Sequence, residues 1–236
     1  EAWIAYTGKG LLGVPAGIKI GHMPVVVGEG TFFDHRRYGD DAILLWIEPA
    51  KGTEIALAAV KLFENTPTGN TDDLDAYSLM LTHKVGKDHT IGANYTLVTG
   101  EPTGTPGTAT PPTAPTFPYA LYRTGLTLPG AGAAPAPRAD LNLSNLGLFA
   151  KGKIAGLGYK VTADFQFGKL KELFGFTLGV TEQKFSGYGI TAGVDYKVDP
   201  VTIRANFVYG SGDSDATDTA GNTKNKAFQT FVGNVI

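Results

Sequence analysis

Residues 186–210 read Ser-Gly-Tyr-Gly-Ile-Thr-Ala-Gly-Val-Asp-Tyr-Lys-Val-Asp-Pro-Val-Thr-Ile-Arg-Ala-Asn-Phe-Val-Tyr-Gly. Tyr188, Ile190, Ala192, Val194, Tyr196 and Val198 fall on one side of an extended chain, and Gly189, Thr191, Gly193, Asp195 and Lys197 on the other. After Asp199-Pro200 the alternation resumes, with Val201, Ile203, Ala205, Phe207 and Tyr209 set against Thr202, Arg204, Asn206 and Val208. Successive strand side chains point to opposite faces, so each strand has an apolar and a polar face. Strands of about ten residues with tyrosines near both ends of the apolar face match the transmembrane β-strand signature. A two-residue turn at Asp199-Pro200 sets Val198 opposite Val201. It therefore sets Asp195 opposite Arg204, where an ion pair is expected.

The same alternation recurs elsewhere. Ile91, Ala93, Tyr95 and Leu97 oppose Thr90, Gly92, Asn94 and Thr96. Tyr159, Val161, Ala163, Phe165 and Phe167 oppose Lys160, Thr162, Asp164 and Gln166. Strand candidates lie near 1–8, 16–28, 41–48, 54–64, 75–85, 89–100, 143–154, 157–167, 187–198, 201–211 and 226–235, about eleven in all. Segments 41–48 and 54–64 are apolar on both faces, which leaves their orientation open. Connections alternate short and long: short at 9–15, 49–53, 85–88, 155–156 and 199–200, long at 29–40, 65–74, 101–142, 168–186 and 212–225. An outer-membrane barrel keeps that order, with short periplasmic turns and long external loops.

The expected fold is therefore an all-β, antiparallel, up-and-down transmembrane β-barrel. It forms a single domain over 1–236, with a Pro/Gly/Thr-rich extracellular loop at 101–140. Phe117, Tyr119, Leu121 and Tyr122 within that loop could pack back on the barrel. An odd strand number whose first strand runs toward the periplasm predicts at least one further strand before Glu1. The chain is then part of a larger barrel and does not close one alone.

Composition agrees. Charged residues are 18% of the 236, below the roughly 25% of an average soluble domain. The net charge of −2 gives no reason to expect a nucleic-acid partner. No cysteine is present, so disulfides and thiolate metal sites are excluded. No apolar run is long enough for a transmembrane helix, and in lipid the other spanning solution is a closed barrel.

Gly17-Ile18-Lys19-Ile20-Gly21-His22-Met23-Pro24, then Gly28-Glu29-Gly30, then Phe32-Phe33-Asp34-His35-Arg36-Arg37-Tyr38-Gly39-Asp40-Asp41 resembles the alginate-export type of bacterial outer-membrane porin. Those proteins carry a strand of the form lysine-hydrophobic-glycine-arginine-glutamine, followed by a loop with an Asp/Arg/Phe cluster. The present chain departs from that form at His22-Met23. The resemblance implies a wide barrel of about eighteen strands and passive transport.

Candidate functional residues follow from the polar strand faces. Lys160, Thr162, Asp164, Gln166, Asp195, Lys197, Arg204 and Asn206 would line a water-filled lumen. Both signs of charge occur among them, so strong ion selectivity is not expected. Asp34, His35, Arg36 and Arg37 form a basic-aromatic loop with two readings: it folds inward as a constriction, or it stays external and pairs its arginines with Asp34, Asp40 and Asp41, the reading favoured here. Asp72, Asp73 and Asp75, and again Asp213, Asp215 and Asp218, offer oxygens to calcium. Neither loop fits the calcium-loop pattern, so solvated acids are the simpler reading, and no metal or cofactor is expected. His22, His35, His83 and His89 lack ligand spacing. The chain carries no nucleophile elbow, phosphate loop or HExxH, so no enzyme is expected.

The leading expectation is a porin-like channel in the bacterial outer membrane, passing small hydrophilic solutes or ions. Its partners would be outer-membrane lipid and further strands from the same or another chain. A structural barrel that sheaths a partner protein, such as an electron-transfer cytochrome, is the alternative. A soluble β-rich surface or fibre protein is the third reading.

Overall fold

The computed structural model describes residues 1–10, 13–37, 39–63, 73–100, 138–174, 182–212 and 224–232. They form β1 (Ala2–Gly8), β2 (Ala16–Met23), β3 (Val26–Val27), β4 (Phe33–Asp34), β5 (Asp40–Ala50), β6 (Thr53–Phe63), β7 (Leu74–Val85), β8 (His89–Gly100), β9 (Arg138–Ile154), β10 (Leu157–Phe174), β11 (Glu182–Phe185), β12 (Tyr188–Val198), β13 (Val201–Gly210), β14 (Lys224–Asn225) and β15 (Phe231–Val232). The chain is all-β, and no helix occurs among the described residues. The proline-rich loop at 101–140, apart from its last three residues, lies outside the described residues, as do its aromatics Phe117, Tyr119, Leu121 and Tyr122.

The long strands form an antiparallel meander, β1-β2-β5-β6-β7-β8-β9-β10, continued by β12 and β13. Beyond its pairing with β12, β10 runs on against β11, which β14 joins in parallel. Within this sheet β1 pairs only with β2 and β13 only with β12, so the described residues do not close a barrel. The turn at 199–200 sets Val198 against Val201 and Asp195 against Arg204, as the alternation predicts.

The two faces of the sheet are inverted relative to a water-soluble core. On one, the open face, Ile43, Leu45, Leu57, Leu79, Ile91, Leu148, Val161, Phe165 and Ile203 are all exposed. On the other, the covered face, Ser78, Asn94, Thr96, Asn145, Thr162, Asp164 and Gln166 are buried. The ambiguous strands now have an orientation. In β5, Ile43, Leu45 and Ile47 lie on the open face, while Ala42 is buried on the other.

The described part of the last expected strand, residues 226–232 of 226–235, does not extend the meander and turns across the covered face instead. Gln229 is fully buried, with its main chain bonded to the Gln166 side chain rather than to a neighbouring strand. Phe231–Val232 pairs in parallel with β4, in a small separate sheet that β3 completes. The strand expected over 16–28 breaks after Met23, since Pro24 has no N–H to extend the ladder. The long connection expected at 168–186 is mostly strand, because β10 and β11 extend the sheet through Phe174 and from Glu182.

Candidate functional site

Two segments fill the covered face. The first is the connection between β2 and β5. It leaves β2 at Met23 and crosses β7, β8, β9, β10 and β12 before returning to Asp40. The Gly28 N–H points at Met80 Sδ, 3.3 Å away. Gly28 has φ +59°, and a Cβ there would meet Asn94 Oδ1 at 2.5 Å, so both the backbone sign and the close approach to β8 call for glycine. Thr31 Oγ1 lies 2.8 Å from Thr162 Oγ1, which lies 2.6 Å from Thr191 Oγ1, a hydroxyl cluster joining the loop to β10 and β12.

Glu29 sits where charge demands it. Lys151 on β9 and Lys160 on β10 are direct cross-strand partners, and like charges so opposed repel. Glu29 Oε1 lies 2.8 Å from Lys151 Nζ and Oε2 lies 3.2 Å from Lys160 Nζ. Lys160 also donates to the Glu29 carbonyl at 3.1 Å. The lysines are half-exposed and the carboxylate is largely covered, so the loop supplies a built-in counter-ion deep on the polar face.

Above that polar zone the covered face turns apolar. Phe32, Phe33, Met23 and Val27 pack with Leu74, Val98, Leu141, Leu143, Leu170 and Phe185. Burial of each such side chain contributes about 1.5–3 kcal/mol, so these aromatics anchor the loop far more firmly than its polar contacts. His35 stacks on Phe33 at 4.6 Å between ring centroids, and its Nδ1 lies 2.7 Å from Asp40 Oδ2. The Arg36 guanidinium grips Asp34 with several hydrogen bonds and holds its carboxyl below the usual carboxylate range, against the opposing effect of burial.

The second segment runs from β14 to β15. Gln166 Nε2 donates to the Gln229 carbonyl at 2.6 Å, and the Gln229 N–H donates to Gln166 Oε1 at 2.7 Å. Phe228 lies against Gly189, whose missing Cβ leaves room for the ring.

The expected site residues divide accordingly. All eight strand residues lie on the predicted face, but Thr162, Asp164 and Gln166 are buried beneath the two segments rather than lining open space. Asn145 Nδ2 donates to Asp164 Oδ1 at 2.8 Å. Lys160, Asp195, Arg204 and Asn206 border a cavity of about 350 Å3, which Glu29 and Thr31 close from the loop side. The ion pair expected between Asp195 and Arg204 is not formed, although they are register partners. The Asp195 carboxylate leans the other way, over Gly158 of β10, where no side chain stands in its path. Lys197 instead lies 3.7 Å from Asp199 at the exposed turn.

The external reading of the 34–37 loop needs correction. Arg36 does pair with Asp34, as that reading holds, and Arg36 and Arg37 are exposed, but the connection packs onto the sheet through Val25, Val27, Phe32 and Phe33. The residues that enter deepest are Glu29, Thr31, Phe32 and Phe33, not Asp34, His35, Arg36 and Arg37. Val25-Val26-Val27 and Phe32-Phe33 were the available signal, since an external loop has no use for such apolar runs. Among the calcium candidates, Asp73 and Asp75 both pair with Lys61, at 2.5 and 3.4 Å. Asp72, Asp213, Asp215 and Asp218 lie outside the described residues. No group of metal-ligating side chains occurs among the described residues. His83 Nδ1 lies 2.9 Å from Thr53 Oγ1 and His89 Nδ1 3.0 Å from the Tyr159 hydroxyl, both near the short-turn end.

The chain matches no protein-family model and no curated protein.

Proposed function

We propose that this chain forms the wall of a bacterial outer-membrane β-barrel and carries its own constriction, passing small hydrophilic solutes or ions by diffusion. The observation that carries the reading is the inverted polarity of the sheet. Asn94, Thr96, Asn145, Thr162, Asp164 and Gln166 are buried, while isoleucines, leucines and aromatics on the opposite face stand exposed. A water-soluble sheet has no reason to expose so continuous an apolar surface. In a bilayer that face meets hydrocarbon and the polar face encloses the lumen.

Aromatic side chains mark both limits of the apolar band. Tyr159 and Tyr196 lie toward the short turns, and Phe167 and Tyr188 toward the long connections. Eight residues of strand separate Tyr159 from Phe167 on β10 and Tyr188 from Tyr196 on β12, about 27 Å, or about 20 Å normal to the membrane at a typical tilt. That span is close to the apolar band of outer-membrane barrels, about 25 Å tall. The single-sided ladders of β1 and β13 call for further strands from the same or another chain, because unpaired backbone groups are costly in lipid.

Glu29, Thr31 and the cavity bordered by Lys160, Arg204 and Asn206 would form the narrow part of the passage. Charges of both signs there favour small hydrated solutes over strong ion selection. One observation favours the second reading, a structural barrel that sheaths or scaffolds a partner protein: the apolar packing of Phe32 and Phe33 closes part of the covered face to water. Conductance in planar bilayers separates the two. Steady single-channel currents support the channel. A reconstituted chain that carries no current, yet copurifies with a bound protein, supports the sheath.

A further inference from the structure

Asp164 is a buried carboxylate without a cationic partner among the described residues. It stands on the covered face of β10, 4% exposed, and its side chain is held by the Asn145 amide, Nδ2 to Oδ1 at 2.8 Å. Elsewhere on the same face the chain provides counter-ions of its own. Lys151 and Lys160 receive the Glu29 carboxylate at 2.8 and 3.2 Å. Lys160 lies four residues from Asp164 along β10, about 13 Å away, and is engaged by Glu29. A carboxylate as buried as Asp164 is stable only when something neutralises it.

Two further oxygens stand around it. Asn94 on β8 and Asp164 on β10 are both register partners of Gly147 on β9, and all three are buried. A Cβ at Gly147 would lie 2.5 Å from Asn94 Oδ1 and 2.7 Å from Asp164 Oδ1. The two side chains therefore lean over the glycine from opposite sides and share the space it leaves. Gly28 approaches Asn94 from the loop side, where a Cβ would meet the same Oδ1 at 2.5 Å. The other oxygen is Asn145 Oδ1, on the amide that holds Asp164. Asn145 is fully buried, and this oxygen has no hydrogen-bond partner. The Asn94 side chain makes no hydrogen bond among the described residues either.

A proton would neutralise Asp164 but would serve one acceptor only. A single cation serves the carboxylate and both amide oxygens at once. One carboxylate balances one positive charge. No cluster of acids and histidines meets here, so the oxygens do not suit calcium or a transition metal. We propose that Asp164, Asn94 and Asn145 bind one sodium ion beneath the connection between β2 and β5. The ion neutralises Asp164, and the amide oxygens replace part of its hydration shell. The site lies within the covered face and does not depend on whether that face encloses a channel or a partner protein.

The test is equilibrium dialysis of the full chain in detergent micelles against radioactive sodium chloride, with N-methylglucamine chloride holding the ionic strength constant. Bound sodium should saturate at about one ion per chain, the number that one carboxylate neutralises. Asp164→Asn keeps the size of the side chain and should abolish the saturable sodium. Asn94→Leu removes one oxygen and should weaken binding about tenfold or more. Asn94→Asp sets two carboxylates over Gly147, and calcium should then displace sodium from this variant at concentrations that leave wild type unaffected. Hydrogen-exchange protection of β7–β10 establishes that each protein is folded. A folded wild-type chain with no saturable sodium overturns the inference and leaves Asp164 to a proton. Equal saturable binding by wild type and Asp164→Asn overturns it too, because the ion then sits elsewhere. If Asp164→Asn does not fold, the calcium response of Asn94→Asp decides, and its absence overturns the assignment.

Discussion

Gln166 and Gln229 hold each other by two hydrogen bonds, side-chain amide to main chain, at 2.6 and 2.7 Å, and both residues are buried. Between the two-residue ladders of β14 and β15, the pair fixes residues 226–230 across the sheet rather than beside it. Gln166→Ala leaves the Gln229 N–H and carbonyl without those partners, at a cost of about 2–5 kcal/mol. Hydrogen exchange at residues 225–231 should accelerate strongly while β5–β8 keep their protection. Unchanged exchange there would mean that the side-chain bonds do not hold the segment.

Glu29→Gln keeps the shape of the side chain but removes the counter-ion of Lys151 and Lys160. Those lysines then oppose each other uncompensated, and seating of the 24–33 segment weakens by about 1–3 kcal/mol. Exchange at Gly28–Phe33 should rise. In a conducting barrel the freed positive charge should shift reversal potentials toward anion preference. A variant with wild-type exchange and wild-type selectivity would remove Glu29 from the constriction.

The Asp34–Arg36 contact makes the return of the loop sensitive to acid. Arg36 lowers the Asp34 pKa below its unfolded value, so the contribution is fully present above about pH 4. It is lost as the pH falls through the lowered folded value. Arg36 is well exposed, which limits the effect to under about 1 kcal/mol. Melting curves of wild type and Asp34→Asn between pH 6 and pH 2, both values chosen to bracket carboxylate titration, should differ at the upper end and converge at the lower. A constant difference across the range would assign the contact no electrostatic part.

Ala205 and Asn206 are neighbours on β13 that belong to opposite faces. In a bilayer, Ala205→Arg should cost about 2–4 kcal/mol if it lies near the midplane, and Asn206→Arg far less. Denaturant titration of the reconstituted protein measures both. Equal costs would contradict the assignment of faces.

Much of the sheet was legible in the alternation of its residues. The hairpin of β12 and β13 follows the predicted register residue for residue, because period-two patterning and a two-residue turn leave no other pairing. β5 was ambiguous because its covered side also carries apolar residues, Ala42, which is buried, and Leu44 and Trp46, which are half-buried. The inward course of residues 24–37 was not legible from strand pattern. It depends on Phe32 and Phe33 finding Leu141, Leu143 and Phe185, residues more than a hundred positions away. The same holds for segment 226–235, where alternation imitates a strand but Gln229 is held by one side chain on β10. The missing Asp195–Arg204 ion pair reflects a competition that register alone does not decide, since Gly158 opens space for Asp195 on its other neighbour.

The absence of native cysteine allows single cysteines to be placed one at a time along residues 201–209 and spin-labelled in the reconstituted protein. Collision with oxygen, which concentrates in hydrocarbon, and with a water-soluble nickel chelate reports the surroundings of each label. The account predicts strict alternation: oxygen dominates at Val201, Ile203, Ala205 and Phe207, and the nickel chelate at Thr202, Arg204 and Asn206. Uniform access of the nickel chelate to every position would contradict a membrane-spanning sheet with a lumenal polar face.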